Sequence, residues 1–202
     1  MIRYARWLFG VTIPLLVHYG ICLEAHGQNI LVRLHLDTGA IAGFAVRDLG
    51  GIRIHMPTLH KNGYDLKTAL PGSSIITDDL HEVWSKAHHT LIQNHMNQFI
   101  RGLRLQHEGG WAIAREELKS VLQADKDEHA RRLDEFLFAE KVPFKCFIRM
   151  QMAGVYRNVS FSLITIHCDK ILWELSTDIL NFHQPSTYIK ICRTYFYVEW
   201  LR

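Results

Sequence analysis

Between Glu24 and Asn29 the chain reads Glu-Ala-His-Gly-Gln-Asn: a carboxylate, an imidazole and two carboxamides around one glycine. Such groups are costly to bury unless something pairs with them. Their chemistry suits a phosphate-bearing ligand. Glu24, Gln28 and the downstream Asp48 supply hard oxygen atoms of the kind Mg²⁺ takes together with phosphates and water. His26 and Asn29 can donate to phosphate or to a developing oxyanion. Arg47 can pair with a carboxylate or a phosphate. A nucleoside triphosphate seated here would meet all six. The plainer alternative is a polar loop that satisfies its own backbone, and at this point both readings stand.

The elements that must position these residues follow from patterning. Residues 2–22 form an apolar run read as a buried helix, kinked at Pro14. From Ile30 to Leu36 the chain alternates, with Ile30, Val32, Leu34 and Leu36 on one face and Leu31, Arg33 and His35 on the other, a strand pattern. Asp37-Thr38-Gly39 is a turn, and Ala40 to Val46 returns as a second strand. Antiparallel strands of equal length bring the start of the first beside the end of the second. His26 to Asn29 and Arg47-Asp48 are therefore expected at one end of the hairpin, where Gly50-Gly51 permits a close turn.

Beyond Pro57 the chain reads as loop to Ser74. Thr77-Asp78-Asp79 caps a long helix over 80–103, with Leu80, Val83, Trp84, Ala87, Leu91, Asn94, His95 and Gln98 along one face. Gly109-Gly110 ends it. A helix over 111–122 follows, then one opened by Asp127 with Ala130, Leu133, Phe136 and Leu137 as its stripe. Residues 142–152 are expected to cross the core as an extended segment or short helix. The fold class is α+β: a small antiparallel hairpin or sheet carrying the nucleotide site, packed on a mostly helical C-terminal region.

Histidine is abundant, and His81, His88, His89, His95 and His107 raise the question of a metal. His88 and His89 are adjacent, so on a helix they diverge by about 100°, and no His-Glu-x-x-His pattern occurs. They are read as hydrogen-bonded helix histidines.

The totals narrow the classes further. The chain has 202 residues and a formal net charge of +3, and it lacks a basic run interleaved with aromatics, which argues against nucleic acid. Cys22, Cys146, Cys168 and Cys192 are scattered with no CxxC pair, so they are read as reduced thiols of a cytoplasmic protein. Arg3 and Arg6 ahead of the apolar run mimic a signal peptide, but no small-x-small cleavage site follows. The run is also too short to span a bilayer.

GICLEAHGQNILV, the turn DTGAIAGF and then VRDLGGIRI closely resemble the ATP-site segment of the IucA/IucC-like siderophore synthetases, ligases that act independently of nonribosomal peptide synthetases. The helix around Asn94-His95 and VPFKCFIRMQMAGVYRN resemble the family's C-terminal region. The likeness covers about residues 2–158, of which 1–56 would be the helix plus ATP-site hairpin and 75–158 the helical region. It implies ATP-dependent adenylation of citrate or a similar carboxylic acid, followed by capture by an amine or hydroxyl, in iron acquisition. By matching positions, His26, Gln28 and Asn29 would meet ATP. Asp48, with Glu24, would hold Mg²⁺, and Arg47 would orient the carboxylates. Family members are much longer, so the chain would be the C-terminal part of a synthetase, inactive alone. A missing N-terminal half, or association as a homo-oligomer, would complete it. The alternative activity is phosphotransfer of the aminoglycoside- or choline-kinase type, although Gln28 stands where those enzymes place their catalytic Asp. An inactive remnant or binding module is the third reading.

Residues 159–202 differ from the rest. They hold no glycine or alanine, whereas all 13 glycines of the chain precede them. Val159-Ser160 can be encoded by GTAAGT, an intron donor consensus. The segment is read as translated intron, with a lineage-specific extension as the alternative.

Overall fold

The computed structural model describes residues 1–66 and 73–139, and the backbone of 141–145 and 163–167. The described part is α+β. Helix α1 (Ile2–Tyr19) leads into β1 (Ile21–Cys22), then β2 (Ile30–Leu34) and β3 (Ile41–Val46), a 3₁₀ turn (Leu49–Gly51), β4 (Arg53–His55), α2 (Met56–Lys61) and β5 (Ile76–Thr77). Helix α3 (Leu80–Ala87) continues as a π-helix (His88–Met96) and as α4 (Asn97–Gly102), followed by α5 (Gly110–Ala124) and α6 (Glu128–Leu137). Strands β6 (Lys141–Lys145) and β7 (Leu163–His167) pair antiparallel.

Helix α1 is the spine. Ala5, Leu8, Phe9, Ile13, Leu16 and Val17 are buried along it and join one core with residues of the π-helix, α3, α5 and α6. Arg6 ties α1 to α5 by donating from Nε and Nη2 to the two carboxylate oxygens of Glu117, at 2.8 and 2.9 Å. The helix runs through Pro14 and ends at Tyr19, three residues short of the expected Cys22. Gly20 stops it at φ 67°, and its N–H donates back to Leu15 and Leu16. A side chain at Gly20 would crowd His55 and Thr58, so the glycine also lets β4 and α2 approach.

The described residues form three small sheets, β6–β7 being one of them. In the first, β1 pairs antiparallel with β4, and β4 pairs parallel with β5. The second is the β2–β3 hairpin, in register Ile30↔Val46 through Arg33↔Gly43, with an irregularity between Arg33 and Leu34. Strand β2 ends at Leu34 rather than Leu36, and His35 N–H still donates to Ala40 O at 2.8 Å beyond it. The stretch from Pro57 expected as loop contains α2, capped by the His55 imidazole, which accepts from Thr58 N–H. The Pro57 ring is tolerated because it sits in the first turn of that helix.

The expected helix over 80–103 is present but not uniformly α. Asp79 caps it, its carboxylate accepting from His81 N–H at 2.8 Å. The nine-residue π segment rotates the later side chains, so His88, Thr90 and Met96 are buried beside Leu91 and His95. The helices after Gly109-Gly110 and Asp127 match the pattern. Gly109 adopts φ 78°, and Asp127 accepts from His129 N–H. Among the described residues no helix is long and apolar enough to cross a membrane. Cys22 is buried and unpaired; the other three cysteines, the 146–152 segment and most of 159–202 lie outside the described residues.

Candidate functional site

The hexapeptide leaves β1 and turns into β2 as a compact loop. Asn29 N–H donates to His26 O at 2.9 Å, and Ile30 N–H reaches the same carbonyl at 3.3 Å. The hairpin brings its far end alongside. Arg47 N–H donates to Asn29 O at 3.0 Å, and Arg47 Nε donates to Gln28 O at 2.9 Å. His26, Gln28, Asn29, Arg47 and Asp48 thus share one end of the hairpin. Gln28, Arg47 and Asp48 are exposed, and His26 is half-buried.

Asn29 faces inward. It is 3% exposed, its Nδ2 donates to Glu24 O at 3.2 Å, and that nitrogen lies 3.4 Å from His26 Nε2. Its amide nitrogen holds the loop and the imidazole. Asp48 is the strained residue of the turn, at φ 58°, ψ 73°. Asp tolerates this left-handed region better than most side chains. Gly50 and Gly51 do not use positive φ. What Gly51 supplies is room: a methyl there would overlap the Glu24 carboxylate. The Asp48 carboxylate lies beside Gly50, so the two carboxylates border adjacent glycines.

A second layer fixes the loop from the helical side, through residues that sequence patterning did not single out for the site. Lys86 Nζ pairs with Glu24 Oε1 at 2.8 Å. Thr90 Oγ1 donates to Lys86 O at 3.0 Å and reaches Leu23 O at 3.5 Å. His95 Nδ1 lies 2.9 Å from Ala25 O, and its Nε2 lies 2.6 Å from the Tyr4 hydroxyl. A carbonyl only accepts, so Nδ1 carries the proton, and Nε2 accepts from Tyr4. Burial lowers the His95 pKa, opposed by its bond to Ala25 O, with His26 lowering it further. Burial pushes the Tyr4 hydroxyl up to about 12. Both effects keep this neutral pair intact. Nearby, burial pushes the Cys22 thiol up to about 12, so it remains a thiol rather than a nucleophile.

No group of three or more His, Cys, Asp or Glu side chains among the described residues is placed to hold a metal by itself. Two of the helix histidines are hydrogen-bonded: His88 accepts from Gln93 Nε2, and His89 bonds Gln93 Oε1. The Asp48 carboxylate and the Gln28 amide are exposed at the hairpin end, and the Glu24 carboxylate lies against Gly51. Mg²⁺ commonly takes one or two protein carboxylates and completes its shell from substrate phosphates and water.

A protein-family model described as ferric iron reductase FhuF-like transporter matches residues 1–159. The chain belongs to the FhuF-like family. It is 45% identical over 156 residues to the NRPS-independent siderophore synthetase-like protein ankE of Aspergillus thermomutatus, covering 77% of this chain and 25% of that protein. It is 30% identical over 165 residues to the D-ornithine–citrate ligase of Staphylococcus aureus, covering 74% of this chain and 25% of the ligase. Among solved structures it resembles the petrobactin biosynthesis protein AsbB of Bacillus anthracis, with a TM-score of 0.62 at 17% identity, covering 86% of this chain and 31% of AsbB. That likeness speaks for the fold alone. This FhuF-like chain is thus related to the NRPS-independent siderophore synthetases, and it spans about a quarter of the length of the curated relatives it matches.

Proposed function

We propose that the chain carries the nucleotide-facing segment of an ATP-dependent ligase that joins a citrate-like carboxylic acid to an amine or hydroxyl in siderophore assembly. The observation that carries this reading is the convergence of the hexapeptide with Arg47-Asp48. The open end of the hairpin presents an imidazole, an amide, a guanidinium and a carboxylate, while the inner side is anchored by Asn29, Lys86 and His95.

In this reading the substrate carboxylate attacks the α-phosphorus of ATP and pyrophosphate leaves. The nucleophile then attacks the activated carbonyl and AMP leaves. Bound Mg²⁺ would neutralise charge on the triphosphate. Asp48 and Glu24 would hold it, with Gln28 offering a further oxygen. His26 would donate to phosphate, its ring steadied by the Asn29 amide. Arg47 uses Nε on Gln28 O, and its other nitrogens remain available to an anion. Fixed donors of this kind stabilise a transition state because they need no reorganisation as charge develops.

The test compares products. A longer protein including the remaining three-quarters of its relatives' length is assayed for ATP–pyrophosphate exchange with citrate. AMP formation supports the ligase, and ADP formation supports a kinase. In that protein His26→Ala and Asp48→Ala are each expected to slow adenylation by at least ~10²-fold. Near-normal rates in either variant would remove that residue from the site. The 202-residue chain itself is expected to bind ATP no more tightly than the millimolar range and to form no amide from citrate and a diamine.

A further inference from the structure

The Lys86 ammonium sits where a cation is wanted. Its Nζ lies 2.8 Å from Glu24 Oε1, across 62 positions of sequence, and both side chains are about one-quarter exposed. The rest of the Glu24 carboxylate is packed on the Gly51 backbone, with no space for a side chain between them. Glu24 thus lies against Gly51 and pairs with a cation from the far end of α3. Arg53 is oriented elsewhere: its Nη1 donates to Ser74 O and stands 4.0 Å from Glu82.

We infer that Lys86 is a built-in placeholder for the divalent cation: it neutralises Glu24 while the site is empty and must yield that carboxylate when a metal arrives with the nucleotide. The inference rests on the metal reading of Glu24 and adds a residue and a regulation to it. The physical basis is simple. A carboxylate beside a compact backbone turn needs a counter-charge, and an ammonium on a four-carbon stem can supply one and swing away. A divalent ion on the same carboxylate would lie within a few ångströms of that ammonium. Like charges so close repel strongly even in partly solvated surroundings. Lys86 thus lowers the affinity for bare metal and leaves metal delivered on phosphate as the form that competes.

The experiment uses the 202-residue chain with Mn²⁺ as probe, read by electron paramagnetic resonance with and without ATP. Lys86→Met and Lys86→Gln remove the charge, and Lys86→Gln keeps a hydrogen bond to Glu24 in case the first variant folds poorly. Both are expected to bind Mn²⁺ about tenfold more tightly than the parent chain in the absence of ATP. Glu24→Gln in either background should erase the gain. In the parent chain, Mn²⁺ with ATP should raise the acetylation rate of Lys86 several-fold, as mapped by peptide mass spectrometry. Unchanged or weaker Mn²⁺ binding in both Lys86 variants, with Glu24→Gln still weakening Mn²⁺–ATP binding, overturns the placeholder and leaves the metal reading standing. If Glu24→Gln and Asp48→Ala both leave Mn²⁺–ATP binding unchanged, the metal reading itself fails, and the placeholder with it.

Discussion

Helix α1 and the β2–β3 hairpin flank the same hexapeptide, and both are rich in apolar side chains, yet they meet opposite surroundings. On α1, Leu8 and Phe9 are fully buried, and Ile13, Leu16 and Val17 nearly so. On the hairpin, Ile30 is buried, but Leu31 is 48% exposed, Leu34 55% and Leu36 fully exposed. A helix with one apolar stripe finds its cover within this chain, in α5 and α6. An alternating strand defines two faces, but only a second layer buries one of them. Beyond Ile30 the described residues cover the hairpin only in part: Phe44 of β3 packs edge-on against Tyr4 of α1, with ring centroids 5.6 Å apart, while Leu31, Leu34 and Leu36 stay open. The hexapeptide lies on the boundary, so its inner atoms are pinned and its outer atoms are open.

The sharpest way to break this contrast is to truncate one side chain on each element. Phe9→Ala should cost about 3–5 kcal/mol, because it removes a fully buried aromatic from a packed core. Leu36→Ser should change stability by no more than about 0.5 kcal/mol. Urea unfolding followed by circular dichroism measures both. Comparable losses would mean that the hairpin is as well packed as the helix.

The π-helix behind the hexapeptide should respond to pH. Burial, and secondarily the charge of His89, lower the His88 pKa to about 4. A histidine depressed in the folded state is protonated more readily when unfolded, so stability is full above about pH 6.5 and falls as the pH drops toward 4. Burial lowers His55 and His95 in the same direction. The His88 contribution amounts to about 3 kcal/mol at most. His88→Gln should flatten the decline between pH 6.5 and 4 in urea midpoints. A decline of unchanged steepness would assign it to other groups.

Much of this arrangement was legible before any coordinates. The alternation from Ile30 and the Asp37-Thr38-Gly39 turn fixed the hairpin register, and register alone placed Arg47-Asp48 beside Gln28-Asn29. Asp79 and Asp127 announced their helices because an N-cap is a local device. The rest depends on partners far apart in sequence. Lys86 meets Glu24 across 62 positions, and His95 meets Ala25 across 70. No periodicity signals such pairs. The π segment is also invisible to a 3.6-residue template. Asn94 and Gln98, placed on the buried face by that template, are half-buried and exposed respectively, while Met96 is fully buried. The Gly50-Gly51 pair was legible as a turn, but its reason was not: Asp48 takes the left-handed conformation, and Gly51 makes room for Glu24.

That distinction predicts unequal effects at adjacent glycines. Gly51→Ala would push the Glu24 carboxylate aside and loosen its pair with Lys86, and should cost about 1 kcal/mol. At Gly50 the nearest atom, Asp48 Oδ1, would lie at an ordinary 3.5 Å from the new carbon. Gly50→Ala should therefore fall within about 0.5 kcal/mol of the parent. Thermal melts of the two variants side by side test this. Equal losses would mean that backbone freedom, rather than room for the carboxylate, is what this turn requires.

The smallest expected effect on stability comes with a visible effect on behaviour. Val32, Leu34 and Leu36 alternate along the hairpin and are exposed at 38%, 55% and 101%. Among the described residues strands β2 and β3 form a two-stranded sheet, with no further strand on either edge. Open edges beside exposed apolar side chains invite pairing with other chains. Replacing the three with Thr, Thr and Lys removes that surface while keeping strand-compatible residues at two positions. The charge on the third discourages edge-to-edge contact. Each change should alter the unfolding free energy by at most about 0.5 kcal/mol, because none removes a buried side chain. Light scattering of the 202-residue chain should nevertheless show a clear drop in association, since the driving term is surface exposed in the folded state rather than unfolding. The contrast with α1 fails in two ways: if the triple variant loses several kcal/mol, the hairpin is covered in solution; if scattering is unchanged, the association has its source elsewhere in the chain.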